Sequence, residues 1–104
     1  MASGATAEWV YFLDAPRLDF ADTMQPHEAA VWEEHFAYVK KLMDDGVMIL
    51  VGPTLGRINT GIAVFEAKDA AAARAIMEGD PAVASGIVSA ELRPFHVSLL
   101  RGRD

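Results

Sequence analysis

Two residues of this chain could move a proton without help from a metal or a bound group. One is a histidine set in a helical stripe, the other an aspartate standing before a proline. His35 lies three residues after Trp32 and four before Val39 in VWEEHFAYVKKL, so all three share one face of a helix. A histidine there is either a hydrogen-bonded core residue or the working group of a small-molecule site, and the spacing leaves both open. Asp80, in GDPAV, reads first as a helix N-cap with Pro81 at N1, a role that needs nothing further to explain it. The cap and a catalytic role are compatible, because one carboxylate oxygen can cap while the other accepts from an imidazole.

Other chemistries fall away on spacing. PHEAAVWEEH begins like a zinc-protease helix, but Val31 stands where the second histidine of H-E-x-x-H belongs. His27 and His35 are eight residues apart, more than two helical turns, which argues against joint metal ligation. With no cysteine, disulfides, thiolate catalysis and zinc-thiolate sites are excluded together. GRINTG lacks both the spacing and the lysine of a phosphate loop, and Ser3, Ser85, Ser89 and Ser98 have no nucleophile-elbow context. His27 falls in a first helical turn and is expected to be exposed. His96 is expected to point away from its neighbours Phe95 and Val97. Glu33 and Glu34 flank His35 but face elsewhere on a helix, and nothing in the spacing of Arg57 and Arg74 demands an anion. No metal and no cofactor are expected.

The elements that must position His35 and Asp80 follow from periodicity. WVYFL (9–13) is aromatic and β-branched, as a strand requires. Residues 14 to 26 carry two prolines and scattered acids, and read as a loop long enough to be a lid or pocket rim. Pro26 opens a helix with early acids and late lysines, which suits the helix dipole, and Gly46 is a ready C-terminal cap. VMILVG (47–52) alternates too little to have a wet face and is expected to be buried on both sides. After a loop, IAVFEA (62–67) is the next strand, and KDAAAARAIMEGD is a helix with Asp69 as its N-cap. DPAVASG makes a second short helical turn. VSAELRPFHVSLL (88–100) closes the chain as a long strand, with Pro94 marking an edge position or a bend.

The order β-α-β-β-α-β suits an α+β, ferredoxin-like sandwich, an antiparallel sheet with both helices on one face. The apolar strands then leave a second sheet face to cover, and a homodimer pairing two sheets face to face is expected. At 104 residues the chain is expected to be one domain over 1–104, with no linker, repeat or low-complexity segment. A net charge of −6 without a basic run argues against nucleic acid and against an anionic membrane surface. The start MASGATAEWVYFL has no basic n-region, and its apolar run is too short for a signal or a spanning helix. A soluble, cytoplasmic protein is expected.

Two segments, EEHFAYVKKLMDDGVMILVGPT and GIAVFEAKDAAAARAIMEGDPAVASGIVSAELRPFHV, together resemble the YCII-related protein family over nearly the whole chain. The resemblance rests on His35, Tyr38, Gly46, Gly52-Pro53, Asp80-Pro81 and Pro94-Phe95 taken as a set. The chain departs from it at one place: many members have Arg-Pro-x-His, and here Trp32 and Glu33 replace the Arg and the Pro. The resemblance implies a dimeric ferredoxin-like α+β fold of the dimeric α/β-barrel type, similar to muconolactone isomerase and the antibiotic-biosynthesis monooxygenases. It also implies an active site built on a His–Asp pair, which carries over to His35 and Asp80. One branch of the family is similar to dehydrochlorinases of chlorinated hydroxyquinols.

On that pair, the expected chemistry is proton transfer on a small, flat organic substrate, with His35 as general base and Asp80 as its orienter. Elimination and isomerisation are both within its reach. Backbone N–H groups at the turn beginning with Asp80 or near Gly52 are candidates to stabilise an oxyanion. A non-catalytic small-ligand-binding dimer, with His35 a core residue, is the competing expectation. A cofactor-free monooxygenase of the related fold is a third, with nothing in the residues to favour it.

Overall fold

A computed structural model of the protein describes residues 7–102; Ser3 therefore lies outside the described residues. The elements are strand β1 (Ala7–Asp14), helix α1 (Pro26–Asp44), strands β2 (Met48–Pro53) and β3 (Thr60–Ala67), helices α2 (Ala70–Gly79) and α3 (Pro81–Ala84), and strand β4 (Ser89–Pro94). The strands form one antiparallel sheet in the order β2-β3-β1-β4, the ferredoxin-like α+β arrangement. Period two puts Trp9, Tyr11 and Leu13 on the same side of β1, opposite Phe65, Ala63 and Gly61 of β3. That side carries the core, where Tyr11, Phe65 and Ala63 meet Val39 of α1, Ala73 and Met77 of α2, and Ala82 of α3. Burial of this apolar face is what holds the helices to the sheet. No described helix is long and apolar enough to cross a membrane.

Local chemistry sets the helix ends. Asp69 caps α2 by accepting the Ala72 N–H at 2.8 Å. At the far end of α1, Gly46 takes φ +79° and donates to the Met43 carbonyl, while Val47 donates to that of Leu42. That pair of bonds is a Schellman close, which needs the left-handed conformation glycine tolerates best.

Two expectations about the strands need correction. Within one chain VMILVG is not buried on both sides: β2 is an edge strand, and Leu50 is 51% exposed. Leu50 stands across from Val64, and Val64 across from Val10, on the sheet face away from the helices, where Val10 and Val64 are buried and Leu50 is not. An apolar run therefore signals an apolar face on each side, not a cover for each. The last strand also stops at Pro94 instead of running to residue 100. Pro94 lacks an N–H for the ladder, and β4 is indeed an edge strand. Beyond it, Glu8 takes over, with its carbonyl accepting from the Phe95 N–H and its side chain from the Val97 N–H, both at 3.1 Å.

The long β1–α1 connection is pinned by one arginine. Arg17 donates to both Glu28 carboxylate oxygens, at 2.9 and 2.8 Å, and also to the hydroxyl and carbonyl of Thr23. The same Glu28 accepts the Gln25 N–H at 2.7 Å at the start of α1. The Arg17 bond first, and then the backbone N–H, hold the Glu28 carboxyl down to about 2, from an ordinary 4.5. A depressed acid stabilises the fold above its unfolded value and loses that contribution as pH falls through the folded one. The stability gap between the protein and Glu28→Gln is thus expected to be constant at neutral pH and to narrow between about pH 4.5 and 2. Urea denaturation across that range measures it; a gap that does not vary with pH would show that the Arg17–Glu28 clamp contributes nothing.

Candidate active site

His35 sits in the middle of α1, and Asp80 is the joint between α2 and α3. The fold brings them together across 45 positions of sequence, with His35 Nδ1 at 2.8 Å from Oδ1 and 2.9 Å from Oδ2 of Asp80. The Asp80 side chain is wholly buried, and that of His35 is 13% exposed. Asp80 also caps α3, with Oδ1 accepting the Ala82 N–H at 2.9 Å. The cap and the imidazole contact therefore coexist on one carboxylate.

A third partner joins them at the carboxylate. Tyr11 of β1, fully buried, donates its hydroxyl to Asp80 Oδ2 at 2.8 Å. Burial above all, and then the charge of Asp80, push its ionisation well above the usual tyrosine range, so the hydroxyl stays protonated and donating. Its signal in WVYFL was available: an inward-facing tyrosine on a core strand must find a partner for its hydroxyl. Nothing local to that strand says which one.

Tyr38, one turn beyond His35, secures the other side of the joint. Its hydroxyl donates to the Ile76 carbonyl at 2.8 Å, near the end of α2. A Cβ on Gly79 would stand only 2.8 Å from the Tyr38 hydroxyl oxygen, so a larger residue before Asp80 would have to push that hydroxyl aside. The turn that presents Asp80 is thus held by a strand, a helix and its own cap.

Hydrogen positions follow from the network. A carboxylate only accepts, so Nδ1 carries the proton in neutral His35 and Nε2 holds the free lone pair. Nε2 makes no hydrogen bond, and among the described residues no buried side-chain nitrogen or oxygen lacks a partner, so Nε2 is not sealed from solvent. His35 lines a cavity of about 300 Å³ between α1 and strands β1 to β3, with Trp32, Phe36, Val51 and Ile62 among its walls. The Trp32 ring lies 4.9 Å from the imidazole, tilted by 39°, and Phe20 packs edge-on behind it at 5.3 Å. The connection expected as a lid or rim contributes that buttress and does not line the cavity itself.

The remaining candidates are dispersed. His27 is exposed, and His96 is 84% exposed, 3.8 Å from Glu8. Arg57 pairs with Asp19 at 3.0 Å, while Arg74, Glu33 and Glu34 are exposed. The turn N–H groups expected as oxyanion donors are spent locally: that of Asp80 goes to the Met77 carbonyl, that of Ala82 to the Asp80 side chain and that of Val83 to the Asp80 carbonyl. Gly52 does line the cavity. Among the described residues, no three of His, Cys, Asp or Glu are grouped as a metal would require.

The profile of the YCII-related domain family matches residues 13–96. No curated protein sequence matches the chain. Among solved structures it is similar to 5-chloro-2-hydroxyhydroquinone dehydrochlorinase from Burkholderia phenoliruptrix AC1100, in a complex with 2,5-dihydroxybenzoquinone. The two share 18% sequence identity and a TM-score of 0.63, over 85% of this chain and 91% of that one. At that identity the likeness is one of fold.

Proposed function

The chain belongs to the YCII-related domain family, and from that premise we propose that it is a cofactor-free acid–base enzyme acting on a small cyclic organic substrate. The observation that carries the reading is the 2.8 Å contact between His35 Nδ1 and a fully buried Asp80, on a histidine that also lines the cavity. Asp80 fixes the tautomer and ring orientation of His35, and Nε2 takes a proton from substrate carbon or oxygen. The electron pair left behind either expels a leaving group such as chloride or is protonated at another atom by the imidazolium. In the first case the substrate loses H⁺ and Cl⁻ in balance, and in the second it is isomerised. Asp80 takes no proton in either step and stabilises the imidazolium.

The similar fold of a dehydrochlorinase makes elimination the first reaction to test. Incubation with 5-chloro-2-hydroxyhydroquinone is expected to release chloride faster than buffer alone. Isomerisation would instead exchange solvent deuterium into a bound ring without chloride release. A chain that binds such rings and does neither is a non-catalytic binding module, and the enzyme reading is then wrong.

We also propose that the chain is a homodimer joined through the sheet face away from the helices, where Leu50 is half-exposed beside Phe12 and the buried Val10 and Val64. Apolar surface left exposed there, above all at Leu50, favours association. Sedimentation of the purified protein is expected to give twice the chain mass, and Leu50→Asp to return it to the monomer. A wild-type monomer at micromolar concentration would refute this.

A further inference from the structure

The walls of the cavity speak to what it can hold. Among the described residues lining it there is no Lys, Arg, Asp, Glu, Ser, Thr, Asn or Gln. Its polar side chains are His35, Trp32 and Tyr11, and the Tyr11 hydroxyl is already given to Asp80. A ligand carrying a carboxylate or another fixed anion would lose its water here and meet no cation in return. Asp80, buried behind His35, adds a negative charge close to that wall.

The cation beside this wall is not free to help. Arg17 has its guanidinium carbon 5.2 Å over the ring of Phe20, the residue that backs Trp32. Four of its five N–H donors are committed to Glu28 and Thr23, and that pairing closes the loop onto α1. The overall charge of −6 opposes an anionic ligand at longer range as well. What the cavity does offer is a flat indole held from behind by Phe20, with an imidazole edge beside it.

We propose that this cavity selects uncharged, flat aromatic or quinonoid rings over their anionic counterparts, and that Trp32 is the residue that sets the selection. The proposal names the substrate class of the acid–base site above and rests on that reading. A neutral ring stacks on Trp32 and presents a weakly acidic C–H or O–H to Nε2. The charge separation then develops only when the proton moves, where Asp80 can oppose it across the imidazole.

The test compares 2-naphthol with 2-naphthoate, equal in ring shape and different in charge at neutral pH. Titration into the full-length protein is followed through the NMR signals of the Trp32 indole and the His35 ring. The neutral ring is expected to bind tighter by about tenfold or more, since the naphthoate charge goes unpaired. Trp32→Arg, which supplies a guanidinium at the wall, is expected to erase or reverse that preference, and Trp32→Phe to keep it. Equal or tighter naphthoate binding by the wild-type protein overturns the inference, as does the failure of both rings to move either signal. Two combined outcomes separate it from the reading it rests on. Naphthoate preference together with chloride release retires the selection and keeps the enzyme, whereas naphthol preference with no turnover or exchange retires the enzyme and keeps the selection.

Discussion

His35→Gln is expected to lower kcat for proton transfer by a factor of about 10² to 10⁴, the usual contribution of a positioned general base. Glutamine is the informative replacement because its amide can still donate to Asp80, whereas it has no nitrogen able to take a proton at neutral pH. Retaining that bond keeps Asp80 partnered and limits the cost in stability to about 1 kcal/mol. The two readouts therefore separate: chloride release or deuterium exchange should collapse, while the protein stays folded and loses no more than about 1 kcal/mol of stability. An interaction made only as the proton moves should depress kcat and kcat/KM together and leave KM nearly unchanged. Turnover within about tenfold of wild type would remove His35 from the mechanism, tenfold being well short of that contribution.

Asp80→Ala should be the most destabilising single truncation at the site, by about 3 kcal/mol. The side chain is wholly buried and serves three donors at once: the Tyr11 hydroxyl, the Ala82 N–H and His35 Nδ1. Removing it loses the α3 cap, worth about 0.5–2 kcal/mol. It also orphans a buried hydroxyl and a buried N–H, at about 1–3 kcal/mol each, partly offset because the carboxylate no longer has to be desolvated. Asp80→Asn keeps the cap oxygen and the shape, so it should recover most of the stability while still disturbing the hold on His35. Chemical denaturation of the two variants side by side decides the matter. A loss below about 1 kcal/mol for Asp80→Ala would reduce the aspartate to an ordinary helix cap. Tyr11→Phe offers a finer comparison, since it removes one donor and leaves the cap and the imidazole contact in place.

Much of the fold was legible because its signals are local. Pro26 at the first position of α1, Gly46 past its end, Asp69 before α2 and Asp80 before α3 each act within about one turn of the chain, and each is where its type predicted. The two strands whose surroundings differ from their patterns share a cause. Whether VMILVG is covered, and whether the chain beyond Pro94 finds a ladder partner, depends on neighbours far away in sequence. Period and propensity record which side of a strand is apolar and carry no record of what lies against it.

The same division runs through the site. The sequence by itself determined that a histidine occupies a helical core stripe, that an aspartate caps the turn before Pro81, and that thiol chemistry is excluded. It left open whether His35 was a core residue or a working group, because a helix fixes a direction for a side chain and not its distant partner. Only the tertiary structure decided that His35, Asp80 and Tyr11, drawn from a helix, a helix joint and a strand, meet at one buried carboxylate. It also decided that Trp32, unremarkable as a stripe residue, becomes the braced wall of a cavity. The physical reason is that a hydrogen bond between residues 45 positions apart, or 69 in the case of Tyr11 and Asp80, leaves no trace in local periodicity. Such contacts exist only once the sheet has closed β1 against β3 and burial of the core has drawn the helices onto it.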